Sequence, residues 1–239
     1  MKSKYEKFSY VYKVMNYDFP YNLWLDIINK YNKNTSILDV GCGTGEILNR
    51  LVADKRVGID NSATMIEIAE SNAPNCEFYV QDMKYFELDE SFDLIIATAD
   101  VLNYVSNINE LKTALLSVSN HMNENSVFIF DMHSEFKILN EFDGEIYMDD
   151  TPEITYIWEV SNGVEELSVI HDITYFIKDE DNKYDKYQET HYQQGFKHQT
   201  VVELLDELGF DVISTFSDFD PDNDVLDVCE RNFFIIKLK

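Results

Sequence analysis

The sequence predicts an α/β fold: a mostly parallel sheet with helices on both faces, plus an inserted antiparallel β-sheet that forms a lid. Three observations predict it. Apolar runs and helical patterns alternate five times before residue 132, the order that builds a parallel sheet covered on both sides. The runs at 92–98 and 126–131 are continuously apolar, as in strands buried on both faces. Beyond residue 140 the period changes to a loose alternation interrupted by Asn162-Gly163 and by Asp179-Glu180-Asp181-Asn182, both hairpin signals.

Each element follows from local chemistry. Residues 1–19 form a lead-in rich in Tyr, Phe and Lys. Pro20 opens a helical pattern through Lys30, with Trp24, Ile27 and Ile28 on one face. A strand at 36–40 stops at glycines, and a helix is expected at 45–53. A strand at 57–60 precedes a helix at 63–71, for which Ser62 is a good N-cap. The third and fourth strands are expected at 76–81 and 92–98. Ile108, Leu111, Leu115 and Leu116 give helical spacing across 107–122, and the fifth strand is 126–131. Alternating runs at 154–160, 166–177 and 184–195 read as the inserted sheet. A helix at 200–208 ends at Gly209, and strands at 211–218 and 232–239 complete the chain. The division expected is residues 1–139 with 197–239 as one domain, and 140–196 as an inserted substrate-side subdomain.

The 239 residues carry 19 basic and 45 acidic side chains, a net charge of −26. That disfavours a nucleic-acid partner, whose phosphates need clustered Lys and Arg, and an anionic membrane surface. No apolar stretch reaches the roughly 20 residues of a membrane-spanning helix. Cys42, Cys76 and Cys229 are odd in number and contain no C-x-x-C pair, which reads as reduced thiols. With no signal-like apolar segment at the start, the expected location is the cytoplasm.

The chemistry lies in Leu38-Asp-Val-Gly-Cys-Gly-Thr-Gly45, where a strand turns into a helix. Gly41, Gly43 and Gly45 permit positive φ and close approach of a ligand to the backbone. Asp60 ends the next strand 19 residues after Gly41, where an acid binds ribose hydroxyls in nucleoside-binding βαβ units. A dinucleotide site uses G-x-G-x-x-G facing a pyrophosphate. Here the third glycine comes one residue early, with Glu46 beside it and Asp39 at the strand end. Carboxylates around the turn suit a cationic nucleoside better than a diphosphate.

At these residues the chain resembles the class I S-adenosylmethionine-dependent methyltransferases. Leu38–Gly45 is similar to their first motif, Val57-Gly-Ile-Asp60 to the acidic second, and Gln81-Asp82-Met83 to the adenine site. Phe92-Asp-Leu-Ile-Ile-Ala97 resembles their fourth strand. Asp100-Val-Leu-Asn-Tyr104, Phe130-Asp-Met-His-Ser134, Thr155-Tyr-Ile-Trp-Glu159, Glu189-Thr-His191 and Pro20-Tyr21 with Trp24 narrow the resemblance to the bacterial YqeM-like methyltransferases, over nearly the whole chain. Two departures are Lys13, where an acid is expected after Tyr12, and Gln193-Gln194-Gly195, where an Arg-containing stretch is expected.

The resemblance implies a Rossmann-like seven-stranded sheet, S-adenosyl-L-methionine as cofactor and S-adenosyl-L-homocysteine as product. It implies Asp39, Gly41, Cys42, Gly43, Gly45, Asp60, Asn61, Met65, Asp82, Met83, Ala97 and Asp100 as cofactor contacts, with Tyr12 and Trp24 near the ligand. His133, His191 and Tyr104 are the candidates for an acid, base or acceptor ligand. His121 and His198 read as surface residues at helix ends, and Cys42 as a small loop residue, since no adjacent cation would lower its pKa. No metal is expected: there is no H-E-x-x-H or Cys/His cluster, and Asp218–Asp224 lacks the glycine of a calcium loop. The expected activity is methyl transfer to a small-molecule N or O acceptor, by a monomer or homodimer. The alternatives are a non-catalytic S-adenosylmethionine-binding regulator or partner protein and, disfavoured by the glycine spacing, a nicotinamide-dependent oxidoreductase.

Overall fold

The structure is a computed structural model that describes residues 19–179 and 181–239. The lead-in at 1–18, including Tyr12, lies outside the described residues. The elements are α1 (Tyr21–Ile28), β1 (Ser36–Val40), α2 (Glu46–Arg50), β2 (Lys55–Asp60), α3 (Ala63–Asn72), β3 (Glu77–Val80) and β4 (Phe92–Ala97). A 3-10 turn (Val101–Tyr104), α4 (Ile108–Ser119), β5 (Met122–His133) and a π-helical turn (Lys137–Glu141) follow. The chain continues through β6 (Ile146–Asp150), β7 (Ile154–Asn162), β8 (Ser168–Lys178), β9 (Tyr184–Gln194), α5 (His198–Glu207), β10 (Phe210–Ser217) and β11 (Arg231–Leu238).

Seven strands form one sheet in the order β10-β11-β5-β4-β1-β2-β3. The pairs from β5 to β3 are parallel, while β11 is antiparallel to both β5 and β10. Leu38 and Val40 of β1 point into a core shared with α4 and α5, while Ile37 points to the opposite core, under α1, α2 and α3. Helices therefore cover both faces. The strand order reverses beside β1, so the carboxyl ends of β1 and β4 flank a switch point where open α/β sheets bind ligands. Strands β6 to β9 form a separate antiparallel meander.

The caps explain several boundaries. Ser62 Oγ accepts the Met65 N–H at 3.4 Å, and Asn107 Oδ1 accepts from Asn109 and Glu110 at 3.0 and 3.1 Å. The second helix is shorter than its pattern suggests, because Leu51 already turns extended (ψ 149°) and leads directly into β2. Strand β6 was not foreseen. All five of its residues are exposed, so it carries no burial period to read. His121 also departs from expectation: it is buried. Its Nε2 accepts the Leu88 N–H at 2.9 Å, its Nδ1–H donates to Ser117 O at 2.8 Å, and its ring stacks on Phe86. His198 begins α5, half-buried and stacked on Phe234.

Candidate active site

The donor half of the site is one strand-turn-helix unit. The N–H groups of Gly41 and Cys42 both donate to Ile59 O, at 2.8 and 2.9 Å, which folds the turn back against β2. Gly41 has φ +74°, and a Cβ there would lie 2.5 Å from a Val101 methyl. Glycine is required at that position on both counts. Gly43 (φ +51°) has nothing within 4 Å of its would-be Cβ, so its backbone borders open space.

Asp60 Oδ2 accepts the Gly43 N–H at 3.0 Å and Oδ1 accepts the Ser62 N–H at 2.8 Å. Burial nevertheless pushes its carboxyl above the ordinary value, more than those two N–H groups lower it. Asp39 is 2 % exposed, and its Oδ1 has no hydrogen-bond partner among the described residues. Burial, then the neighbouring Asp60, pushes its carboxyl up to about 8. Burial and these two acids also raise the Cys42 thiol, which agrees with an inert loop residue. Asp82 follows β3 and accepts the Lys84 N–H at 2.8 Å, and Met83 packs on the core. Asn61 is exposed beside Asp60, and Met65 is half-buried in the first turn of α3.

Two residues expected near the cofactor are buried. Ala97 is fully buried in the core at the end of β4. Trp24 is 3 % exposed, with Phe19 stacked on its ring, Phe219 at its edge and its Nε1 donating to Asp131 Oδ1 at 3.0 Å.

The other half is a buried polar network that joins the main sheet to the lid. Asp131, fully buried on β5, accepts the N–H groups of Ala99 and Asp100 at 2.8 and 3.1 Å. Those two residues have left-handed φ of +59° and +57°, a costly turn for non-glycine residues that Asp131 holds in place. The Arg231 guanidinium bonds Asp131 Oδ2 and, at 3.1 Å, Asp100 Oδ1. Asp100 Oδ2 accepts Gln193 Nε2 at 2.6 Å and faces His133 Nε2 at 3.4 Å. Burial alone would raise the Asp100 carboxyl. His133, Arg231 and Gln193 more than offset that and hold it well below the usual carboxylate range. The Gln193 amide oxygen meets His171 Nε2 at 3.0 Å, and His171 Nδ1 accepts Trp158 Nε1 at 3.1 Å.

A second cluster lies alongside. Tyr104 Oη is 3.5 Å from His191 Nδ1, whose Nε2 is 3.3 Å from Glu189 Oε2. Asn103 ties the 3-10 turn to both regions, donating to Gln194 O at 2.9 Å and accepting the His133 N–H at 3.0 Å. The three acceptor-side candidates thus separate: His133 faces Asp100, itself expected as a cofactor contact, and Tyr104 lies beside His191. Arg231, Asp131, His171 and Trp158 were not anticipated as members. One signal was available: an acid inside the apolar run of β5 requires a buried cation.

The Methyltransferase domain family matches residues 31–209. YqeM, a methyltransferase-family protein of Bacillus subtilis (strain 168), is 34 % identical over 96 % of this chain and 95 % of its own. The dTDP-4-amino-2,3,4,6-tetradeoxy-D-glucose N,N-dimethyltransferase of Saccharopolyspora spinosa is 31 % identical over 40 % of this chain and 39 % of its own. The crystal structure of an S-adenosylmethionine-dependent methyltransferase from Clostridium acetobutylicum ATCC 824 superposes with a TM-score of 0.86 at 27 % identity, covering 99 % of each chain.

Proposed function

The chain belongs to the S-adenosylmethionine-dependent methyltransferase family, and from that premise we propose that it methylates a nitrogen or oxygen of a small molecule held between the carboxyl edge of the main sheet and the lid. The residues of the donor half fit the cofactor. The orphaned oxygen of buried Asp39, together with Asp60, is a carboxylate pair short of a cation. The glycine turn leaves open space beside Gly43. Asp60 would hold the ribose hydroxyls. Asp82 and the Met83 N–H would take the adenine, with Asn61, Met65, Cys42, Gly41 and Gly45 around them. S-adenosylmethionine supplies a methyl group on a sulfonium, already a good leaving group, so the protein's task is mainly alignment. Positioning of that kind contributes on the order of 7–11 kcal/mol.

Asp100 faces Nε2 of His133, which places the proton there and leaves Nδ1 as the lone-pair side. That Nδ1 is buried and has no hydrogen-bond partner among the described residues. In this reading His133 takes the acceptor's proton, while Tyr104 and His191 orient the acceptor. The observation that carries the small-molecule reading is the closure of β9 over the edge, where Gln193 bonds Asp100 and Gln194 bonds Asn103. Such a roof leaves little room for a polymer. The net charge of −26 favours a neutral or cationic acceptor. The acceptor named for the Saccharopolyspora relative is a dTDP-linked amino sugar, which offers a nitrogen nucleophile.

The test is S-adenosylhomocysteine release from S-adenosylmethionine against a panel of small amines, amino sugars and hydroxyl compounds. Release above the acceptor-free rate with one class identifies the acceptor. Release only with a protein or nucleic acid would overturn the reading.

A further inference from the structure

We infer that Gln193 is a positioning residue that couples the docked lid to the orientation of His133. The inference rests on the reading above in one respect only: the role given to His133. The bonds along the path are directional. Trp158 Nε1 can only donate, so His171 Nδ1 must accept and its proton sits on Nε2. His171 Nε2–H therefore donates to the Gln193 amide oxygen, and the Gln193 amide nitrogen donates to Asp100 Oδ2. A carboxylate is acceptor-only, so the amide cannot flip. Flipping would set oxygen against oxygen at Asp100 and N–H against N–H at His171.

Asp100 Oδ1 is already taken by Arg231, so Gln193 and His133 share Oδ2. The lid therefore fixes one of the two contacts that aim this oxygen at the His133 ring. Gln193 itself is 5 % exposed, too enclosed to be a general polar contact for solvent. Charged and titratable groups along this path include Asp100, Arg231 with Asp131, His133 with Glu230, His171 and, from the same face of β9, His191 and Glu189.

The experiment uses the full chain with 15N-labelled histidine and reads imidazole tautomers by long-range proton–nitrogen correlation. In the unaltered protein, His171 and His133 should each report a single Nε2–H tautomer. Gln193→Leu removes both bonds: Trp158 still holds His171 in its Nε2–H form, whereas Asp100 Oδ2 loses the donor that aims it, so His133 should become a tautomer mixture although the substituted side chain does not bond it. Gln193→Glu keeps the acceptor for His171 and loses the donor to Asp100. His171 should then keep its Nε2–H form, while His133, facing a carboxylate that the lid no longer aims, should again become a tautomer mixture. An unchanged single His133 tautomer in both variants would overturn the inference and leave Gln193 as packing. The reading of His133 is checked separately: once an acceptor is known, His133→Asn should flatten the pH–rate profile, and an unchanged profile would sink that role without touching the coupling seen by NMR.

Discussion

The two halves of the site treat their carboxylates in opposite ways. In the glycine turn, Asp39 and Asp60 have no basic side chain beside them among the described residues, and burial raises both. Across the sheet edge, Asp100 and Asp131 are equally enclosed, yet Arg231 bridges them and Asp100 is held strongly acidic. The difference separates a ligand site from a scaffold. A buried acid that lacks its counter-charge gains when a cation arrives, whereas a buried acid already paired holds other groups in place.

Breaking the paired half should have the largest effect. Arg231→Met leaves Asp131 buried without its cation, which should cost about 3–5 kcal/mol. For a chain of this length that is a fall of roughly 6–20 °C in melting temperature, readable by calorimetry. A change under about 2 °C would mean that the bridge contributes little. Gly41→Ala comes next. Its φ of +74° and the 2.5 Å approach to Val101 should together cost about 2 kcal/mol or more, partly recovered by adding Val101→Ala.

The unpaired half should respond in binding more than in stability. Asp60→Ala should weaken S-adenosylhomocysteine binding at least about tenfold, roughly 1.4 kcal/mol, in isothermal titration. Unchanged affinity would remove Asp60 from the donor site. Gly43→Ala, where a Cβ meets no protein atom within 4 Å, should lose affinity with only about 1 kcal/mol of stability.

The pH dependence of the unpaired half sharpens the comparison most. Asp39 ionises near 8 when folded, against 3.8 for the ordinary carboxyl. Between those values the folded protein binds the extra proton, so this group's contribution to stability falls as pH rises from about 4 to about 8. Asp39→Asn should remove that slope in unfolding experiments at a series of pH values. For the same reason, binding of the cationic ligand should release a proton and tighten as pH rises towards 8. Calorimetry in two buffers of different ionisation heat would detect the release, and equal heats would exclude Asp39 as the responding group.

The legibility of the site follows the same division. Gly41, Gly43, Gly45 and Asp60 could be placed from sequence because one turn and two adjacent parallel strands bring them together, and parallel pairing of β1 with β2 leaves little choice of register. The burial of Trp24 and Ala97 was not legible, because an aromatic or small residue beside a ligand motif looks the same in sequence whether it is enclosed or exposed. Gln193 stood out as a departure, but its role could not be read, since its partners are Asp100 and His171.

The sequence by itself determined the βα alternation, the antiparallel insertion and the carboxylate-flanked glycine turn, because each is written in residues that are neighbours along the chain. Only the tertiary structure decided which acids are neutralised and which are left waiting. That depends on Arg231 reaching β5 and on β9 lying across the sheet edge, and pairings between residues about a hundred positions apart leave no period or spacing to read.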